Sequence, residues 1–84
     1  MYILRAIDVI GTVRFYTGKA GEGWLSENPD DSFGYETLAR ATREAKLFNR
    51  QYGPNDWRFI PLGYLNGEVW PVSTYECLTA EAAR

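Results

Sequence analysis

Apolar side chains recur at every second position near the N-terminus of this chain, a pattern typical of β-strands. The alternation runs over residues 2–9 and again over residues 12–16, with Ile10 and Gly11 between them as a turn. Successive side chains of a strand point to opposite faces of a sheet. We therefore expect an N-terminal hairpin with one buried face and one face that stays partly exposed to water.

The spacing changes in the middle of the chain to steps of three and four, which predicts an α-helix over residues 38–52. Thr37 is a suitable N-cap, because its hydroxyl can accept a free backbone N–H of the first turn. Gly53 fits a left-handed closing residue, and Pro54 cannot continue the helix. The apolar side of the helix is formed by Leu38, Ala41, Ala45, Phe48 and Tyr52.

The C-terminal third begins with an apolar and aromatic stretch, residues 57–65, which predicts a further strand. Pro61 has no N–H, so the strand should lie at a sheet edge or be bulged there. The pair Asn66-Gly67 favours a two-residue hairpin turn before a strand over residues 68–72. Residues 73–76 have the spacing of a capping box, which leaves two alternatives open: a short C-terminal helix, or a continued strand with a frayed tail.

These elements predict an α+β fold in a single domain spanning residues 1–84: an antiparallel sheet of two hairpins with one central helix packed on it, in the order ββαββ. The connection over residues 17–35 is rich in Gly, Asn, Asp and Ser, which favours turns. Residues 24–26 are a candidate short strand, and Trp24 and Phe33 are expected to pack this connection against the core. A connection of this length in a compact domain is often functional.

Composition supports a globular chain, with 45% hydrophobic and 24% charged residues among 84. Cys77 is the only cysteine, so no internal disulfide can form, and we expect it to be a small buried hydrophobe. The N-terminal residues do not read as a signal peptide, and no stretch has membrane-spanning length. We therefore expect a cytoplasmic protein of a bacterial host cell.

The sequence contains no recognisable set of catalytic residues. The chain has no histidine, which removes the usual general base and the commonest metal ligand. The glycine-rich residues 18–23 lack the spacing of a phosphate-binding loop, with Val13 and Ala20 at two of its positions. Glu27, Asp30 and Asp31 lack the spacing of a helix-loop-helix calcium site. We expect no enzyme, no cofactor and no metal.

Charge is strongly segregated along the chain. Residues 20–39, the acidic segment, hold five carboxylates and no lysine or arginine, whereas residues 40–50 hold four cations and one glutamate. One interpretation is that the helix neutralises the segment within the chain. The other is that the segment docks onto a basic surface of a partner protein, with an aromatic anchor. The candidate partner-binding residues are Glu22, Trp24, Glu27, Asp30, Asp31 and Glu36.

A single-stranded nucleic-acid-binding module is the alternative function, because arginines alternate with aromatic residues in two places and the helix has a basic face. The overall negative charge of the chain makes direct nucleic-acid binding the less favoured function, because phosphates are also negative. A second copy of the chain is a further candidate partner, and no membrane is expected. The residues that would carry nucleic-acid binding are Arg14, Tyr16, Arg43, Lys46, Arg50 and Arg58.

Residues 15–26, 33–35 and 45–50 together resemble small uncharacterised proteins of bacteriophages and prophages. By size and compactness the chain also resembles the anti-CRISPR inhibitors that such elements encode. That resemblance implies a non-enzymatic inhibitor or modulator whose partner is a CRISPR effector or another nucleic-acid-handling protein of the host. These inhibitors share no motif, so the resemblance assigns no residue a role.

Overall fold

The computed structural model describes residues 1–53 and 56–82. It has two α-helices, a short 3₁₀ helix (Pro29–Asp31) and one antiparallel sheet in the strand order β3-β2-β1-β4-β5. The α+β class is confirmed. The strands are β1 (Tyr2–Asp8), β2 (Val13–Tyr16), β3 (Leu25–Ser26), β4 (Trp57–Leu65) and β5 (Glu68–Trp70), and the helices are α1 (Leu38–Tyr52) and α2 (Val72–Ala82).

The layout matches the predicted ββαββ only in part. The candidate short strand is present as Leu25–Ser26, which pairs with β2 as a fifth strand, and the C-terminal residues form helix α2, which was one of the two alternatives left open. The two hairpins join through β1 and β4, which pair from Tyr2 opposite Gly63 to Asp8 opposite Trp57. This long central pairing makes β1 and β4 the middle of the sheet.

The register divides the sheet into two faces. Leu4 and Ala6 lie on the face that carries α1 and α2, which we call the helix face, together with Phe59 opposite Ala6. Ile3 and Leu62 lie on the other side, which we call the second face. Ile3, Leu4 and Ala6 are each fully buried, so β1 is covered on both sides near its N-terminal end.

Helix α1 has the predicted bounds, and Thr37 caps it by accepting a hydrogen bond from the Arg40 N–H. Its buried residues are Ala41 and Ala45, whose small side chains let the helix lie close to the sheet. The left-handed conformation predicted for Gly53 is wrong, because its φ is −81°. Glycine is needed there for another reason: an added Cβ would lie 2.6 Å from the Asn49 carbonyl oxygen. Pro54 lies outside the described residues.

Helix α2 packs on the helix face through Tyr75. The Tyr75 ring lies over Gly63 and makes an edge contact with the Tyr2 ring, with 5.1 Å between centroids. Its hydroxyl contacts the N-terminal ammonium of Met1. Because Gly63 has no side chain, the ring reaches the backbone of β4 directly.

Pro61 sits at a local sheet edge, which is the first of the two predicted settings. Strand β5 pairs only with residues 63–65, so it does not reach Pro61. Two residues earlier, the Asn49 side chain takes the place of a strand by bonding both backbone groups of Phe59: its amide nitrogen donates to the carbonyl oxygen (2.9 Å), and its amide oxygen accepts from the N–H (2.6 Å). The outer edge of β4 is thereby satisfied without another strand.

Cys77 is exposed on α2, so the expectation that it would be buried is wrong. The register of α2 is set by Tyr75, and residue 77 falls on the opposite side of the helix from it. Among the described residues, no helix has both the length and the apolar character to cross a membrane.

Candidate functional site

The acidic segment leaves β2 through a glycine-rich turn and then crosses the sheet. Gly18, Gly21 and Gly23 each have a φ between 70° and 84°, which glycine adopts without strain. After β3, Asn28 caps the 3₁₀ helix by accepting a hydrogen bond from the Asp30 N–H. The segment then pairs with the N-terminus of β1, where Tyr35 and Tyr2 exchange two backbone hydrogen bonds.

This path covers one half of the second face. The 3₁₀ helix packs against β2, and the Asp30 carboxylate contacts the Tyr64 hydroxyl of β4. On this face Ile3, Phe15 and Leu62 are buried to 8% exposure or less, although α1 and α2 lie on the other face. The acidic segment is therefore structural as well as charged: it completes the core on this side.

All five carboxylates of the segment belong to exposed residues. Glu27 pairs with the guanidinium of Arg14 at 3.2 Å, which is the only ion pair among the described side chains. Asp30 and Asp31 accept hydrogen bonds from the hydroxyls of Tyr64 and Ser26. Among the described side chains, a cation of the same chain therefore neutralises Glu27 but not the other four carboxylates of the segment.

The two aromatic residues of the segment take different places. Trp24 is half-buried in the main core cluster, with its ring 5.0 Å from that of Tyr52 and 5.9 Å from that of Phe59. Phe33 is 47% exposed, and its ring lies 5.0 Å from that of Tyr35 and 6.2 Å from that of Tyr16. Sequence reasoning chose Trp24 as the anchor because tryptophan dominates binding hot spots. Phe33 was missed, and its only signal was its position between turn residues.

The Tyr35 hydroxyl of the segment and the Asp8 carboxylate of the β1–β2 turn have shifted pKa values. Burial raises the pKa of Tyr35 above its usual value, and the nearby Glu44 adds to the effect. For Asp8, partial burial acts to raise the pKa, but hydrogen bonds from the backbone of Thr12 and Ile10 outweigh it, so the pKa is lowered. Asp8 remains ionised at neutral pH and holds the β1–β2 turn closed.

The residues of the nucleic-acid-binding alternative are divided between the two sides of the sheet. Tyr16 lies on the helix face, where its ring packs against Phe48 of α1 at 4.9 Å. Arg58 lies opposite Ile7 on the second face. Arg43, Lys46 and Arg50 are exposed on α1. The structure therefore does not bring the set together on one surface.

A cleft of about 520 Å³ lies beside the glycine-rich turn, with Lys19 at its rim. Its aromatic walls come from the helix face and α1. Clefts of this size lined by aromatic side chains are typical of small-molecule and base recognition. The aromatic lining residues are Tyr16, Trp24, Phe48 and Tyr52.

Within residues 1–53 and 56–82, no group of three or more acidic or cysteine side chains is arranged to hold a metal ion. No protein-family model matches the chain, and no curated protein or solved structure matches it significantly. Function must therefore be argued from the exposed carboxylates and from the sheet face beside them.

Proposed function

We propose that this chain is a non-enzymatic protein-binding inhibitor or modulator that docks its acidic segment onto a basic surface of a partner. The observation that supports the proposal is the exposure of the five carboxylates together with the single ion pair, Arg14 to Glu27, among the described residues. Free carboxylates fixed on a folded surface create a negative potential that attracts a cationic surface.

The rigidity of the segment supports the same proposal. Asp30 and Asp31 are held by the 3₁₀ helix and by hydroxyl hydrogen bonds from Tyr64 and Ser26. A carboxylate whose position is already fixed loses less conformational entropy on binding than one on a disordered loop. Phe33, which is exposed in the same segment, supplies an apolar contact that electrostatic attraction alone lacks.

A surface that binds nucleic acid is the partner surface with the best matching chemistry, because it is basic and is spaced to receive phosphates. Carboxylates can occupy those positions. The resemblance to proteins of bacteriophages adds the class of partner: a nucleic-acid-handling protein of the bacterial host, such as a CRISPR effector.

Affinity capture from a bacterial lysate with the immobilised chain tests the proposal. We expect the wild type to retain a basic nucleic-acid-binding protein, and the triple variant Glu27→Ser, Asp30→Ser, Asp31→Ser to lose it. The matched control changes Asp56, Glu68 and Glu76 to serine, which removes the same charge from exposed positions elsewhere. Equal retention by all three proteins would show that the acidic segment does not carry binding.

Single-stranded nucleic-acid binding is the second candidate, and the cleft lined by Trp24 and Tyr52 with Lys19 at its rim is the observation that favours it. Exposed rings beside a cation can stack bases and hold the backbone. An electrophoretic shift with labelled single-stranded RNA or DNA at low salt, lost on Lys19→Glu, would support it. The absence of any shift at low salt would remove it.

A further inference from the structure

The second face of the sheet has two unlike halves, one at each end of its central strands. At one end, where Ile3, Phe15 and Leu62 are buried, the 3₁₀ helix of the acidic segment packs against β2 and Asp30 reaches Tyr64 of β4. At the other end the sheet borders a cavity, and Val13 is 39% exposed. We call these the covered half and the open half; the open half is formed by Arg5, Ile7, Val13, Arg58 and Ile60.

The open half is a recess with an apolar floor and two cations. A cavity of about 270 Å³ lies there, lined by both arginines and both isoleucines. Arg5 lies opposite Ile60, and Arg58 lies opposite Ile7, so the two arginines are diagonal neighbours. Residues in this relation are about 7–8 Å apart, and their Cβ atoms are somewhat closer.

Neither arginine is neutralised within the described part of the chain. The only ion pair there joins Arg14 to Glu27, and the Arg5 Nε is buried without a hydrogen-bond partner. Asp8 and Asp56 line the far end of the recess, but the Asp8 carboxylate accepts backbone hydrogen bonds from Ile10 and Thr12. Neither Asp8 nor Asp56 forms an ion pair with the two arginines, so carboxylates that come within hydrogen-bond distance would stabilise the two like charges on this apolar floor.

We infer that a second copy of this chain fills the recess, with the two second faces packed against each other about a two-fold axis. The axis runs parallel to the sheet and perpendicular to its strands. It places the raised, acidic half of each copy over the open, basic half of the other. Arg58 of one copy then lies opposite the turn of Asp30 and Asp31 in the other, and the same contact repeats across the axis.

Shape and charge both favour this occupant over an unrelated protein. The covered half is raised by one layer of chain and the open half lacks that layer, so the face complements its own inverted copy. The turn between β1 and β2 extends the open half with two strongly exposed apolar side chains, Val9 at 76% and Ile10 at 84%. Apolar tips of this kind are typical of surfaces that become buried on association.

Sedimentation equilibrium of the purified chain tests the inference, with charge-reversal variants. We expect the wild type to dimerise below about 0.5 mM, and Arg58→Glu to weaken the dimer at least tenfold, which is about 1.4 kcal/mol. The double variant Asp30→Lys, Asp31→Lys should be weakened equally. An equimolar mixture of the two variants should form a heterodimer, because both of its charge contacts are then restored.

Arg50→Glu is the matched control, since it reverses one exposed arginine on α1, away from the second face. It should dimerise like the wild type. A wild type that stays monomeric at about 0.5 mM, or a variant mixture that does not associate, would overturn the inference. The inference goes beyond the proposed function, and the test uses the chain alone, so its failure leaves partner capture untouched. If both hold, a second copy and the partner compete for Asp30 and Asp31.

Discussion

Alanine at position 63 is expected to lower the free energy of unfolding by about 3 kcal/mol, which is the upper end of the cost of overpacking a core. The added Cβ would overlap the Cβ and Cγ atoms of Tyr75. Those atoms lie at the root of the side chain, so they cannot move aside unless helix α2 moves. In a domain of this size the loss corresponds to a fall in melting temperature of roughly 12–24 °C, measurable by circular dichroism.

Two comparisons separate this overlap from a general effect of alanine. Gly67→Ala places a Cβ in open space at a φ of +80°, so it should cost only the backbone strain of about 1 kcal/mol. Tyr75→Gly removes both the ring and the Cβ that the new methyl group would overlap, and adding Gly63→Ala to it should then cost little more. Additive losses in the double variant would contradict the packing described for α2.

Asn49→Ala is expected to cost about 2–3 kcal/mol, because it leaves both backbone groups of Phe59 without partners. Phe59 is 1% exposed, so water cannot easily replace the lost hydrogen bonds. Urea denaturation measures the loss directly. Hydrogen exchange should also show the Phe59 N–H losing protection.

Asn28→Ala is the matched control, since it also removes an asparagine that bonds the backbone. Its amide caps the exposed 3₁₀ helix, so the loss should stay near 0.5–1 kcal/mol. Equal losses at positions 28 and 49 would mean that the Asn49 side chain does not substitute for a strand.

Elements with one dominant period were predictable from the sequence. Helix α1 has an apolar face at regular steps, a hydroxyl cap at Thr37 and a stop at Gly53, and all these signals agree. The bounds of β4 were also predicted, because turn residues lie on both sides of Trp57–Leu65. At Gly53 the predicted boundary is right and the predicted backbone conformation is wrong.

Features that depend on contacts distant in sequence were not predictable. The pairing of β1 with β4 joins residues 49 to 61 positions apart, and no local pattern encodes it. The same holds for Tyr75, whose place over Gly63 decided between a helix and a strand at the C-terminus. The hydrogen bonds of Asn49 were missed because a polar residue on an exposed-looking helix position carries no signal of a strand edge.

The sequence predicted which residues of the candidate site are charged, but it did not predict how they are arranged on the surface. The sequence indicated which residues carry the charge, since counting carboxylates needs no geometry. It did not indicate that the segment crosses the second face and buries Ile3 and Phe15, nor that Phe33 is more exposed than Trp24. It also did not reveal that Arg5 and Arg58 lie on the same face as Tyr64, which Asp30 contacts, because that relation depends on strand register.

The association rate of the captured partner, measured at two salt concentrations, tests the role of the acidic segment most directly. Electrostatic attraction is screened beyond about 8 Å at physiological ionic strength, so the rate for the wild type should fall at least tenfold from about 0.05 M to 0.5 M salt. The variant without the carboxylates of residues 27, 30 and 31 should bind slowly at both concentrations. A wild-type rate that does not change with salt would contradict the account.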